Sequence, residues 1–506
     1  MTDLLGISDV PDNQLESVLS KFLSENTTVR SFTDIKLSDR KLIWAGLFSI
    51  AENNSSSILQ DKALKCCKLL SRDRVGINEC IENKNVDLLI QKSGISRLQP
   101  DSEPGVRFES KMVLSNLIHQ SSTVQAYCTV NGFLKDILTT ITNHKDRNEV
   151  ERFDLRLLFL LTALCSEQRQ VANSEHRALT LINNNLKSCL DMSPCSPVLA
   201  LYVVEVLKVL FNLALESRTE DTEELTRICK TLDSVLNHAY EDKDSENMVV
   251  SNVINFLTNM DGKMEPTTYI IHKISNIQRI LDYLLMKLEE YSENKLKNLK
   301  EEVSPTLSVL WILSKMHREV RKYLKQIILP PLTAEDIQNK PEKGSSPRSR
   351  LVSLLTNPDQ DVATMTAEFL FVLCKHNVGK LVKHSGYGNA AGLLARRGLL
   401  LGGRGEENFS SDEESDTEEY QKEAHKVNPI TGCVEEDRPN PLEGMSEEQK
   451  EYEAMKLVNM MDKLVKDGFI QPARIGEDGK PVPVEHILQL QEGMNIPGKG
   501  TGEDSD

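Results

Sequence analysis

The sequence predicts an all-α chain: an armadillo/HEAT-like right-handed superhelical solenoid, with a partly disordered acidic C-terminal tail carrying an amphipathic helix. Three observations carry this expectation. Apolar residues recur at helical spacing from the start of the chain. A leucine-rich apolar helix returns at a near-constant interval. No sustained period-2 alternation marks strands.

The first helical stripe is Leu15, Val18, Leu19, Phe22 and Leu23, spaced i, i+3, i+4, i+7 and i+8. The returning unit reads CCKLLSRD around Leu70 and VLSNLIHQS around Leu117. It comes back around Leu164, Leu213, Leu257, Leu313 and Leu373, so the interval begins at 47 residues and widens to 60 where loops are inserted. Units of two or three helices and about 40–47 residues have this period. Each is too small to bury its apolar face alone, so neighbours must stack. The length of 506 residues, about three domains at roughly 150 residues each, is then one array rather than three globules.

Val203, Val204, Val206, Leu207, Val209, Leu210, Phe211 and Leu213 leave only a narrow polar strip of Glu205, Lys208 and Asn212. An inner helix of a stack has that look. Lys208 and Asn212 share a face at i, i+4, as do Lys68 and Arg72. Such a strip is either plain solvation of an exposed face or the lining of a binding groove. Residues 262–269 and 333–349 read as loops from their Pro, Gly and Ser content. The array is expected over 1–400.

The composition changes beyond it. Residues 401–445 read as an acidic linker with too few apolar groups to offset the entropy of ordering. Ser410, Ser411 and Ser415 each have an acidic residue three positions later, the pattern of an acid-directed kinase such as casein kinase 2. An unmodified solvated linker is the alternative. Arg318, Arg321 and Lys322, three and four residues apart, are candidate phosphate acceptors if that segment docks on its own array. They read equally as the basic end of an exposed helix. Over 446–468, Ser446 and Gln449 form a capping box, and Tyr452, Met455, Val458, Met461 and Val465 make an apolar stripe that Gly468 stops. Residues 469–506 read as a flexible tail.

Charge and motifs exclude several classes. Sixty basic against 76 acidic residues leave a net charge of −16, which disfavours nucleic acid as a main partner. The N-terminus has no secretory pattern, and charged residues interrupt the most apolar window, Val198 to Leu215, so no transmembrane segment is expected. Ten cysteines without a C-x-x-C read as reduced core residues of a soluble, intracellular chain. No nucleotide-loop, zinc-protease or serine-hydrolase motif is present, so neither an enzyme nor a cofactor or metal is expected.

SGYGNAAGLLARRGLL (385–400), SSDEESDTEEY (410–420) and NPLEGMSEEQKEYEAMKLVNMMDKL (440–464) resemble the synembryn (resistance to inhibitors of cholinesterase 8) family, with TAEFLFVLC (366–374) and ILPPL (328–332) extending the match upstream. The resemblance implies a receptor-independent guanine nucleotide exchange factor and folding chaperone for heterotrimeric G-protein α subunits (Gα), cytoplasmic or at the cell cortex through Gα, and monomeric. It implies that the Gα C-terminal helix sits in the groove, that the tail helix engages the Ras-like domain, and that casein kinase 2 modifies the acidic tail. Helix phase assigns Lys68 and Arg72 to the acidic end of that helix, and Asn116, Phe159, Lys208, Phe211 and Asn212 to the rest of the groove. The alternative is an armadillo scaffold or adaptor without exchange activity. Two tryptophans, Trp44 and Trp311, are too few for the repeated Trp–Asn pairs of an import adaptor.

Overall fold

The recurring leucines fall in seven long helices. They are α1 (Ser57–Leu70), α2 (Pro104–Gln120), α3 (Glu149–Leu164), α4 (Pro197–Ala214), α5 (Lys243–Leu257), α6 (Leu299–Met316) and α7 (Gln360–Leu373). The structure is a computed structural model, and it describes residues 4–32, 35–53, 55–95, 102–215, 222–403, 416–435, 442 and 444–484. Local chemistry sets the helix starts. Asn148, Ser196, Asp242, Asn298 and Asp359 each accept a backbone N–H of the first turn with the side chain, and Pro197 opens α4 where no amide is needed.

The chain forms two units, Met1–Tyr283 and Leu284–Asp506. In the first, α1 packs on α2, α2 on α3, α3 on α4 and α4 on α5. A second layer covers them: Asp12–Asn26 against α1, Asn83–Ser93 against α2, Phe133–Thr142 against α3 and Ala178–Cys189 against α4. The core lies between the layers. Leu114, Leu117, Leu158, Leu161, Val206, Leu210 and Leu213 are all sealed from solvent. Each such side chain contributes about 1.5–3 kcal/mol of burial, and only the stack makes that burial available. By length and composition α4 could cross a membrane, but most of it is buried among its neighbours, which accounts for its hydropathy.

In the second unit α6 packs on α7, Arg318–Ile328 packs against both, and α8 (Tyr387–Arg397) packs on α7. The all-α helical-repeat class expected from the sequence is what both units display. Among the described residues, sheet is confined to two antiparallel pairs, β1 (Val427–Asn428) with β2 (Cys433–Val434) and β3 (Ala473–Ile475) with β4 (Pro481–Pro483). Between them runs α9 (Glu447–Lys466). Its capping box is formed as expected: the Gln449 amide donates to Ser446 Oγ at 3.2 Å and the Ser446 amide to Gln449 Oε1 at 3.1 Å.

Two stretches differ from their sequence reading. Residues 262–269 were expected as loop, yet Met264–Ile271 is a helix. Pro266 is its third residue, where a missing amide costs nothing, and Pro266, Thr267 and Ile270 are buried. The tail is also more ordered than its composition implies. Glu418–Glu423 is helical, and Thr417 Oγ1 donates to the Leu332 carbonyl at 2.5 Å. The ordering comes from docking to the array, which composition does not report.

Candidate functional site

The groove positions assigned by helix phase lie in the first unit, on four successive helices. Lys68 and Arg72 stand at the end of α1, Asn116 on α2, Phe159 on α3, and Lys208, Phe211 and Asn212 on α4. Their exposure grades from the exposed Arg72, through the half-buried Lys68, Asn116, Phe159, Lys208 and Phe211, to the buried Asn212.

Cross-helix bonds hold this face in register. Lys68 Nζ lies 2.6 Å from Glu109 Oε2 of α2, a carboxylate 4% exposed. Asn116 Nδ2 donates to Ser71 Oγ at 2.8 Å, and Asn212 Nδ2 donates to the Phe159 carbonyl and to Thr162 Oγ1, each at 3.1 Å. Asn212 is therefore turned into the α3–α4 seam, and that corrects its assignment as groove lining. The amide braces the face instead of forming it, because both of its contacts run to α3.

Two recesses open on the face. The first, about 570 Å³, is lined by Thr27, Thr28, Arg30, Arg72, Asn116 and Gln120. Hydroxyls, guanidiniums and amides line it, and no carboxylate is among these residues, so its chemistry suits an anion such as a chain-terminal carboxylate. Arg72 Nη1 donates to the Thr27 carbonyl at 2.8 Å, which ties the N-terminal segment to α1 and leaves other guanidinium N–H groups to bind. The second, about 210 Å³, is lined by Arg152, Phe153, Arg156 and Glu205. Arg152 lies over the Phe153 ring at 5.2 Å and Arg156 over the Phe159 ring at 5.1 Å, while Phe108 meets Phe153 edge-on. Lys208 Nζ sits 2.9 Å from the buried Glu205 Oε1. Cations lying over aromatic rings give this part of the face both apolar and positively charged character. Sequence reasoning missed Arg30, Gln120, Arg152, Phe153 and Arg156. For α3 the signal was available, since Arg156 and Phe159 are three residues apart on one helical face.

The tail residues divide. Ser410, Ser411 and Ser415 lie outside the described residues. Of the candidate phosphate acceptors, Arg318 and Lys322 are exposed, but Arg321 is buried, with Nη1 donating to the Ser314 carbonyl at 2.7 Å. It does not share the exposed face that the spacing predicts, because a carbonyl of the preceding helix claims it. The acidic segment meets a different cation: Lys383 pairs with Asp416 and lies 4.2 Å over the Tyr420 ring. Nearby Lys325 is buried, and burial, reinforced by Lys380, Lys375 and Lys383, pushes its ammonium down to about 8. On α9, Tyr452 and Met455 are exposed and Val458, Met461 and Val465 half-buried. Leu457, Met460 and Leu464 are exposed too, so the apolar surface is wider than the stripe read from the sequence.

Known proteins share this chain's sequence over nearly its whole length. A family profile described as guanine nucleotide exchange factor synembryn (Ric8) matches residues 63–480. A solved engineered protein is 14% identical with a TM-score of 0.44, covering 78% of this chain and 94% of that one. The protein named Chaperone Ric-8A from Xenopus laevis is 35% identical over 97% of this chain and 98% of its own length. The proteins of that name from Gallus gallus and Bos taurus are 36% and 37% identical, covering 93% and 97% of this chain and 93% and 96% of their own lengths. The chain belongs to the synembryn (Ric8) family of guanine nucleotide exchange factors.

Proposed function

We propose that this chain is a guanine nucleotide exchange factor and folding chaperone for heterotrimeric G-protein α subunits, working without chemistry of its own. It binds nucleotide-free Gα more tightly than GDP-loaded Gα, and linkage then obliges it to weaken GDP binding by the same factor. The same preference for an open intermediate accounts for chaperoning. The C-terminal helix of Gα is gripped on the α1–α4 face, its terminal carboxylate in the recess of Arg30 and Arg72, and its body over Phe153, Phe159 and Phe211. The α9 helix makes a second contact with the Ras-like domain. An acid-directed kinase such as casein kinase 2 modifies the tail beside Lys383. The chain works as a monomer in the cytoplasm and reaches the cell cortex through Gα.

The observation that carries the reading is the first recess, because a pocket of donors without a lining carboxylate, at the end of a row of half-buried aromatics, fits the acidic terminus of an amphipathic helix. Family membership supports the activity. The test is GDP release from purified Gα. A stoichiometric amount of this protein should accelerate it, and Arg72→Glu should remove most of the acceleration. Release at the intrinsic rate would return the chain to the class of helical-repeat scaffolds.

A further inference from the structure

The tail returns to α8 at both of that helix's ends, each time through glycine. At the N-terminal end, the amides of Tyr387 and Gly388 donate to the carbonyls of Pro429 and Ile430, at 2.8 and 2.9 Å. These two donors have no partner within the helix, so the β1–β2 loop caps it. A Cβ on Gly386 would lie 3.0 Å from the Ile430 and Thr431 carbonyl oxygens, and one on Gly432 would lie 2.7 Å from Pro341 Cγ. At the C-terminal end, Gly398 closes α8 in the left-handed conformation (φ 67°). The turn of β3–β4 sits directly on it: the Leu400 amide donates to the Gly479 carbonyl at 3.3 Å. A Cβ on Gly479 (φ 70°) would run into the Gly398 carbonyl, and one on Gly398 would lie 2.9 Å from the Asp478 carbonyl.

The α9 helix lies between these two docking points, with no buried residue of its own. We infer that the Gly398–Gly479 contact is a latch that closes the tail into a loop anchored at both ends of α8, and that Gly479 is a positioning residue for the partner contact made by α9. A helix tethered at one end samples a large volume, while one tethered at both samples a small one. The effective concentration of its apolar face at a bound partner rises accordingly, with no new contact. This deepens the reading given above and rests on it for the identity of the partner.

The test uses two full-length variants, Gly479→Ala and one in which residues 473–483 are replaced by a Gly-Ser segment of equal length. The second covers the case in which alanine merely strains the turn. Affinity for nucleotide-free Gα and hydrogen exchange at the Leu400 amide are measured together. Both variants should bind Gα about tenfold more weakly, and the Leu400 amide should exchange at least tenfold faster. The latch is overturned if the replacement variant binds as tightly as the parent, or if Leu400 keeps its protection in it. Failure of the parent itself to bind Gα sinks the functional reading instead, and the exchange measurement still decides whether the latch exists.

Discussion

Asn212 of α4 donates across the helix seam to the carbonyl of Phe159 in α3, 3.1 Å away. Asn116 of α2 makes the equivalent reach to Ser71 Oγ and to the Lys68 carbonyl at the end of α1. The Lys68 carbonyl lies in the last turn of α1, where helix carbonyls lack intrahelical partners, and the Phe159 carbonyl takes the α4 amide as a further donor. The same side chains that would decorate a binding face thus hold the repeats in register.

Asn212→Ala should destabilise the first unit by about 1–3 kcal/mol, since the buried Thr162 hydroxyl and the Phe159 carbonyl lose their partner on α4. Asn116→Ala, at a half-buried site, should cost about 1 kcal/mol or less. Urea midpoints of the two variants check the order. Equal costs would mean that the Asn212 amide is not a structural brace.

Lys68 and Arg72, one helical turn apart, should separate by experiment. Lys68→Met leaves the Glu109 carboxylate buried without its cation, at a cost of up to about 3 kcal/mol. Glu109→Gln in the same chain should recover most of that loss. Arg72→Glu should cost only about 1 kcal/mol, the loss of an exposed bond to the Thr27 carbonyl, yet weaken binding of an acidic Gα terminus more than tenfold. Thermal melts and a binding titration read the two effects independently.

The repeat was legible in the sequence because helical periodicity is local: Leu70, Leu117 and Leu164 announce α1, α2 and α3 whatever lies around them. Helix phase also placed Lys68, Asn116, Phe159 and Lys208 at half-buried positions of successive helices, as the structure has them. It could not say which polar residues on that face already have work to do. Lys68 with Glu109, and Asn212 with Phe159, join residues more than 40 positions apart, and their pairing depends on how neighbouring helices are set. Arg321 was misread for the same reason. The tail hairpins escaped notice because their order comes from backbone carbonyls meeting α8, a contact that leaves only glycines as its trace.

Alkaline pH should unfold the chain earlier than its charge implies. Burial pushes the thiols of Cys128, Cys189, Cys229 and Cys374 up to about 12. The native state keeps these protons, while the unfolded state loses them above about pH 8.5. Their stabilising contribution is whole below that value and is lost as pH rises towards 12, by about 1.4 kcal/mol per thiol per pH unit. Lys325, with its ammonium pushed down to about 8, works in the opposite direction, but it is one group against four thiols. Melting temperature under reducing conditions should fall steeply between pH 8.5 and 10. A flat profile would contradict the burial of these thiols.

Phosphorylation of the tail should stabilise the second unit through Lys383. Asp416, paired with Lys383, directly follows Ser415, so a phosphate on Ser415 would add about −1.5 to −2 charge beside a cluster of lysines that now repel one another. Casein kinase 2 treatment should raise the melting temperature by a few degrees. Lys383→Ala should reduce that rise, as should Ser410→Ala with Ser415→Ala. An identical rise in the Lys383 variant would place the acceptor elsewhere, with exposed Arg318 and Lys322 the next to test.

The α9 helix offers the cleanest division between folding and function. Met455 is 59% exposed and Met460 57%, and no residue of the helix is buried. Replacing both with aspartate removes no core contact, so stability should stay within about 0.5 kcal/mol of the parent. An apolar surface of this extent on a capped, well-formed helix is expected to be covered by a partner. Two carboxylates at its centre would have to be desolvated on binding, which should lower Gα affinity at least tenfold and slow assisted GDP release in parallel. Unchanged release by the double variant would make the helix dispensable for exchange. A loss of release accompanied by a lower melting temperature would mean that α9 packs on its own chain.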